Sequence, residues 1–124
     1  MSENLSYLLP DQVTLGGSTY TIIARDRRWE LEEYETHHLT TAGQCRWPDM
    51  EVDIVTEGQK ATEIANTLIH ECLHLCYREF CIKAKRGEER TVTHLGFAIT
   101  ALYKQNPDLL TSIDALLNYT PSED

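Results

Sequence analysis

The sequence feature that most constrains this chain is a pair of histidines four residues apart in an apolar segment. Residues 67–75 read TLIHECLHL, in which the histidines are His70 and His74. The surrounding leucines and isoleucine favour a buried helix, and on a helix positions i and i+4 lie one above the other on the same face. The segment therefore predicts a helix that directs two imidazole rings towards one point.

Glu71 follows the first histidine directly and completes the pattern H-E-x-x-H. On a helix this pattern is typical of zincins, in which the histidines hold zinc and the glutamate is the general base for a water molecule. The competing interpretation is two partly buried histidines bonded to neighbouring side chains. Because such polar groups are costly to bury without a purpose, we expect Zn²⁺ on His70 and His74, with Glu71 as the catalytic residue.

Length and composition are those of one ordinary globular domain. The chain has 124 residues, 41% of them hydrophobic and 25% charged, which predicts a single domain over residues 1–124. The net charge of −9 argues against nucleic acid as a partner, because phosphate binding needs a basic face. No apolar run approaches ~20 residues and the N-terminus has no signal-like core, so we expect a cytoplasmic protein without a membrane span.

The four cysteines are expected to be reduced. None forms a C-x-x-C pair, and the i,i+4 spacing of Cys72 and Cys76 is poor for a disulfide. Together with Cys45 and Cys81 they are predicted to be buried, small hydrophobic side chains of a cytosolic protein.

The first half of the chain predicts a small sheet. Gly16-Gly17 separates two short alternating runs, which indicates a β-hairpin. Alternation over residues 51–56 predicts another strand. Residues 29–41 fit either a helix or a strand, and residues 36–41 favour a strand. Residues 43–49 contain glycine, glutamine and proline and predict a loop.

The second half predicts three helices. The His-bearing helix is expected over residues 59–80, with Thr56 as N-cap in a capping box. A second helix is expected over residues 88–105, stopping at a proline, and a third over residues 108–117, capped by the aspartate at its start. The predicted fold is therefore α+β: a small, mostly antiparallel sheet from residues 12–56, then the His-bearing helix and two further helices.

A catalytic zinc site usually has three protein ligands and one open position, so a third ligand is expected. Metzincins place a third histidine after a glycine shortly beyond the first pair, whereas residues 76–80 here read CYREF. Glu79 lies ~140° round the helix from His74, and Cys81 lies ~10 Å further along the axis. Neither can reach the same ion, so the second helix must supply the ligand.

Glu88 and Glu89 open that second helix, and periodicity leaves both possible. With Val92 set at 0°, Glu88 falls at about −40° and Glu89 at about +60°, so both stand at the rim of the inward face. His94, at about 200°, points away from the core. Either glutamate also fits the ordinary preference for acidic residues in the first turn of a helix.

Residues 67–110 resemble the small gluzincin-type metallopeptidase-like proteins of phages and prophages, which are relatives of the ImmA/IrrE peptidases. Those proteins pair H-E-x-x-H with a downstream helix of the form E-x-x-A/V-x-x-F/L-A/G, whose leading glutamate is the third ligand. Residues 89–96 read ERTVTHLG and match this form, so the resemblance implies Glu89 as the third ligand. The chain departs from the larger gluzincins at Thr93, where they often have an aspartate.

The motif and the resemblance together predict a zinc-dependent metallopeptidase that hydrolyses peptide bonds through a zinc-activated water, with Glu71 as general base. Its partner would be a peptide or protein substrate, and the strand at residues 51–56 is predicted to bind it by edge pairing. If a phage encodes the chain, its expected location is the host cytoplasm. One alternative is a zinc-stabilised, catalytically inactive phage binding or assembly protein, and another is a metal-free helical interaction domain.

A shared ion also limits the length of the His-bearing helix. If that helix ran unbroken to Gly87, it would climb roughly 20 Å beyond His74, and zinc ligands lie only ~2 Å from the metal. We therefore predict that the helix ends near Phe80 to Ile82. Residues 83–87 should then double back towards the histidines.

Overall fold

The computed structural model describes most of the chain, namely residues 4–37, 42–82 and 88–121. Inside these ranges the backbone alone is described at residues 36, 37, 88, 89 and 92.

The strands are β1 (Gln12–Leu15), β2 (Ser18–Arg25), β3 (Gly43–Arg46) and β4 (Glu51–Val55). They form one sheet in the order β1-β2-β4-β3. β1 and β2 make the predicted hairpin, in which Gly16 and Gly17 take φ angles of 61° and 93° that suit glycine. The β2–β4 pairing is parallel and the other two are antiparallel. The predicted α+β fold with a small, mostly antiparallel sheet is therefore confirmed.

The helices are α1 (Arg27–His37), α2 (Ala61–Glu79), α3 (Glu88–Gln105) and α4 (Pro107–Leu117), after a short 3₁₀ helix at Ser6–Leu8. α2, α3 and α4 are the three predicted helices, and α1 is an additional one. No helix in the described part of the chain has the length and apolar character that crossing a bilayer requires.

Residues 29–37 belong to the helix α1, whereas their sequence fitted either a helix or a strand. The Asp26 carboxylate accepts the backbone N–H of Trp29 at 2.9 Å, which is an N-cap bond. Surface ion pairs at helical spacing then support the exposed helix, such as Arg28 with Glu32 at 3.2 Å. The strand predicted over residues 36–41 is wrong for its first two residues, which lie in α1, and residues 38–41 lie outside the described residues.

Two predictions about the sheet are wrong because of the strand β3. Residues 43–46 form this strand, where the sequence predicted a loop. β4 consequently has a hydrogen-bonded neighbour on each side, β2 and β3. The predicted edge pairing of substrate with residues 51–56 is therefore wrong, because that strand has no unpaired edge. β3 is the outer strand on this side of the described sheet.

α2 packs across one face of the sheet and carries the largest share of the core. The buried apolar side chains of the helix face those of β1, β2 and β4; on the helix they are Ile64, Ala65, Leu68, Cys72, Leu75 and Cys76, and on the strands Val13, Leu15, Tyr20, Ile22, Val52 and Ile54. The opposite side of α2 remains exposed, which is where polar functional groups can lie.

Of the two predictions about the ends of α2, the one for its start is wrong and the one for its end is confirmed. The predicted cap at Thr56 is wrong, because the Thr56 hydroxyl donates to Asn4 Oδ1 at 3.0 Å instead. The Glu63 carboxylate accepts the backbone N–H of Lys60 at 3.3 Å, and the helix begins at Ala61. The predicted stop is confirmed, since the helix ends at Glu79.

A left-handed residue terminates α2. Cys81 has a φ of 50°, and its N–H bonds to the carbonyl of Arg78 at 3.4 Å. The N–H of Ile82 bonds to the carbonyl of Tyr77 at 3.0 Å. These two bonds form a Schellman motif, in which glycine usually holds the left-handed position. Residues 83–87 lie outside the described residues, so their doubling back stays a prediction.

Asn106 joins β1 to the junction between α3 and α4. Its Oδ1 accepts the Thr14 N–H at 2.7 Å, and its Nδ2 donates to the Thr14 carbonyl and to the Leu102 carbonyl, the latter at 2.8 Å. The side chain thereby satisfies both backbone groups of one residue on the outer strand β1. α4 begins at Pro107, with Asn106 at the N-cap position, so the predicted N-cap at Asp108 is wrong by two residues.

Candidate metal centre

His70 and His74 project from the exposed side of α2, one turn apart. Their Nε2 atoms lie 3.2 Å apart, and the ring planes are inclined by 71°. Two nitrogens that bind one tetrahedral Zn²⁺ at ~2.05 Å are about 3.3 Å apart. The observed distance therefore fits two ligands of a single zinc ion. It also suits a hydrogen bond between one protonated and one unprotonated nitrogen, which is the competing interpretation.

Glu71 lies on the buried side of the same turn, between α2 and β3. Only 5% of the residue is exposed. Its Oε1 accepts a hydrogen bond from the Sγ of Cys45 at 3.3 Å, and the same thiol lies 3.5 Å from the Glu71 carbonyl oxygen. The carboxylate is thus held by a side chain from the outer strand.

The thiol of Cys45 is a donor at neutral pH. Burial raises its pKa well above the usual range, and the negative charge of Glu71 raises it further. A thiol that keeps its proton can donate to the carboxylate. The Cys45–Glu71 contact is therefore a hydrogen bond to an acceptor rather than a repulsive pair of anions.

Gly43 lets β3 approach α2 closely enough to make this contact. A Cβ at this position would lie 2.7 Å from Cγ2 of Thr67 and 2.8 Å from the carbonyl oxygen of Asp53. It would also lie 3.3 Å from Cγ of Glu71. Any larger residue would push the strand away from the helix, so glycine sets the width of the site.

A cleft of about 310 Å³ runs between β3 and α2. Its lining comes from both elements: Gly43, Gln44, Cys45 and Trp47 from the strand side, and His70, Glu71 and His74 from the helix. The two candidate ligands and the candidate base therefore share one surface with the outer strand.

An aromatic cluster forms one end of this cleft. The indole Nε1 of Trp47 donates to the Tyr20 hydroxyl at 3.3 Å, and the rings meet edge to face with centroids 6.3 Å apart. The Tyr20 hydroxyl in turn donates to Glu79, and burial together with this bond raises the pKa of the phenol. The guanidinium of Arg78 lies over the Trp47 ring, 4.4 Å from its centroid. Trp47 is thereby fixed on two sides.

A charge network on the other face of the sheet holds β3 in place. The Asp53 carboxylate is completely buried and pairs with Arg25 at 2.7 Å and with Arg46 at 2.6 Å. Arg46, on β3, also pairs with Glu51 of β4 at 2.7 Å. The bond to Asp53 raises the pKa of the Arg46 guanidinium. These contacts tie the outer strand to the centre of the sheet through side chains as well as backbone.

The third ligand stays a prediction. The backbone of Glu89 lies in the first turn of α3, but its side chain and that of Glu88 lie outside the described part of the chain. Among the residues that are described, no group of three histidine, cysteine, aspartate or glutamate side chains is placed to hold a metal ion. The choice of Glu89 therefore rests on the resemblance alone.

The cysteines follow the prediction only in part. All four are free thiols, and Cys72 and Cys76 are buried as expected. Burial raises the pKa of Cys72 to about 12 and that of Cys76 to about 11. The predicted burial of Cys81 is wrong, because it ends α2 on the surface, and Cys45 is only partly buried, at the edge of the cleft.

The residues lining the cleft that sequence reasoning missed all come from the segment predicted as a loop. Gly43, Cys45 and Trp47 alternate there, which is a weak strand signal over so few residues. Comparison of the chain with protein-family models, with curated proteins and with solved structures found no match.

Proposed function

We propose that this chain is a zinc-dependent metallopeptidase that hydrolyses peptide bonds of a peptide or protein substrate. The observation that carries the proposal is the 3.2 Å distance between the Nε2 atoms of His70 and His74, at a cleft that also contains Glu71. Two ligands of one tetrahedral zinc ion lie at about this distance. A carboxylate beside them is the group that takes up a proton during hydrolysis.

The residues have separate roles in this proposal. His70 and His74 would hold the metal through Nε2, with Glu89 as the proposed third ligand. Bound zinc supplies Lewis-acid chemistry and lowers the pKa of water towards ~7. Glu71 takes the proton of the attacking water and delivers it to the leaving amine. Because Oε1 of Glu71 accepts the Cys45 thiol, we assign the transferred proton to Oε2.

β3 is the proposed docking strand for the substrate. It is the outer strand beside the cleft, and an extended peptide can add to such a strand through backbone hydrogen bonds. Its four residues correspond to about 13 Å of extended chain. A peptide laid along β3 would pass over the helix turn that carries the two histidines.

Zinc content of the purified chain tests the metal site. About one zinc per chain is expected, which is the number that one three-ligand site implies. His70→Ala and His74→Ala should each lose the metal, whereas His94→Ala on α3 is the matched control and should keep it. Full zinc retention in both His70 and His74 variants would exclude the site.

A peptidase screen with zinc-loaded protein tests hydrolysis. Glu71→Gln should keep zinc and the thermal unfolding midpoint but lose turnover, because the amide cannot accept the proton. Glu32→Gln, on the exposed helix α1, removes the same charge and should retain turnover. If the zinc-loaded wild-type chain cleaves nothing in a broad peptide library, the inactive binding or assembly protein becomes the better description.

A further inference from the structure

We propose that Arg78 and Trp47 form an anion-binding subsite at one end of the cleft, which selects peptides with a carboxylate close to the scissile bond. The inference rests on the proposed function in one respect, namely that the cleft between β3 and α2 binds a peptide. It adds a substrate class, acidic peptides, to that function.

The two walls of the cleft, β3 and α2, run in the same direction, so its two ends are lined by different residues. At one end, Gly43 at the start of β3 lies against Thr67 and Glu71 of α2. At the other end, Trp47, just after β3, lies under Arg78 in the last turn of α2. An extended peptide along β3 therefore passes the histidines and reaches the Arg78–Trp47 pair.

Arg78 lies at a distance from His74 that allows it to contact a peptide residue close to the scissile bond. It follows His74 by four residues, so the two side chains share a helix face and are separated by ~6 Å along the axis. Two residues of extended chain cover about the same length. A carboxylate two residues from the scissile bond would thus lie beside the guanidinium. If the peptide runs antiparallel to β3, that residue is on the N-terminal side of the bond.

The guanidinium is held in place and still available. Its Cζ lies over the Trp47 ring, 4.4 Å from the centroid, and the N–H donors that bind carboxylates lie along the edge of the guanidinium. Arg78 is exposed, and in the described part of the chain no carboxylate lies within ion-pair distance of it. Its neighbour Glu79 is engaged by the Tyr20 hydroxyl.

Other arginines of the chain are neutralised by carboxylates, namely Arg25, Arg27, Arg28 and Arg46. The chain as a whole carries a net charge of −9, so most of its surface repels an acidic peptide. A cation fixed beside the cleft therefore determines where an acidic side chain can be placed.

Peptide binding to the zinc-loaded Glu71→Gln protein tests the subsite without turnover. The probes are peptides with an uncharged dye that differ only in carrying aspartate, asparagine or lysine at one position, which is moved along the peptide. Fluorescence anisotropy should show about fivefold tighter binding of the aspartate peptide at one position, the upper range for an exposed ion pair. Raising the salt concentration should reduce this preference.

Variants of Arg78 in the same protein identify the group responsible. Arg78→Gln should abolish the aspartate preference, Arg78→Glu should turn it into a lysine preference, and Arg78→Lys should retain most of it. Arg28→Gln removes one positive charge from α1 and is the matched control. Zinc content and the unfolding midpoint, measured on each variant, separate loss of the subsite from loss of the fold.

Several results overturn the subsite: no binding of any peptide, equal affinity for aspartate and asparagine peptides at every position, or a preference that persists in Arg78→Gln. Hydrolysis by the wild-type chain without an acid preference would leave the proposed function standing and remove this inference. An acid preference that depends on Arg78, in a chain without hydrolysis, would leave this inference standing and remove the proposed function.

Discussion

The Sγ atom of Cys45 lies 3.3 Å from Oε1 of Glu71, so a thiol on the outer strand contacts the proposed general base. Glu71 is buried and has the thiol as its polar neighbour across the cleft. A donor in this position restricts rotation of the carboxylate. Cys45 would then act as a positioning residue, through Glu71 rather than on the substrate.

Replacement of Cys45 tests this role. Cys45→Ala should lower kcat about fivefold with KM unchanged, since a hydrogen bond of this kind contributes ~1 kcal/mol. Cys45→Ser keeps a donor of similar size and should restore most of kcat. The check is steady-state kinetics at equal zinc content, and equal kcat in the alanine and serine variants would contradict the positioning role.

Two glycines give opposite predictions for the same substitution. Gly43→Ala should destabilise the fold by about 2 kcal/mol, because the new Cβ collides with Thr67 and with the backbone of Asp53. Gly96→Ala should stabilise it by about 0.5–1 kcal/mol, because it lies in α3 and no neighbouring atom of the described residues is within 4 Å of the new Cβ. Urea unfolding of both variants checks the pair, and a neutral Gly43→Ala would mean that β3 does not lie so close to α2.

The first turn of α3 offers a direct comparison between two neighbouring carboxylates. Glu89→Ala should weaken zinc binding at least tenfold if Glu89 is the third ligand, because three protein ligands hold a catalytic zinc ion. Glu88→Ala should leave zinc affinity within about twofold by the same reasoning. Competition with a zinc-binding dye measures both, and the reversed order would assign the ligand to Glu88.

The end of α2 predicts a stabilising substitution. Cys81 holds a φ of 50°, a conformation that costs a side chain with a Cβ ~1 kcal/mol and costs glycine little. Cys81→Gly should therefore raise the free energy of unfolding by about 1 kcal/mol. Cys81→Ser removes the thiol but keeps the Cβ, so it should have no such effect in thermal or urea unfolding.

The parts of the fold that could be predicted from sequence are those determined by local sequence patterns. Gly16-Gly17 determined the hairpin through the φ angles of its turn, and the i,i+4 spacing brought His70 and His74 together within one element. Both features depend on residues close in sequence, for which backbone geometry alone is decisive.

Contacts between distant residues explain what could not be predicted. β3 is only four residues long, and its first residue must be glycine because of Thr67, a side chain on another element. The interior position of β4 follows from that pairing, and so does the contact between Cys45 and Glu71. In the same way, the capping pattern at Thr56 was overridden by a tertiary hydrogen bond to Asn4.

The pair of hydrogen bonds between the Asn106 side chain and the Thr14 backbone has a consequence for biosynthesis. It joins groups 92 residues apart, and contacts so distant in sequence form late because closing the intervening loop costs entropy. During synthesis, the hairpin and the histidine-bearing helix leave the ribosome before Asn106 does. The nascent chain would therefore expose both histidines on an unfinished core, which is completed only after the α3–α4 junction has also emerged.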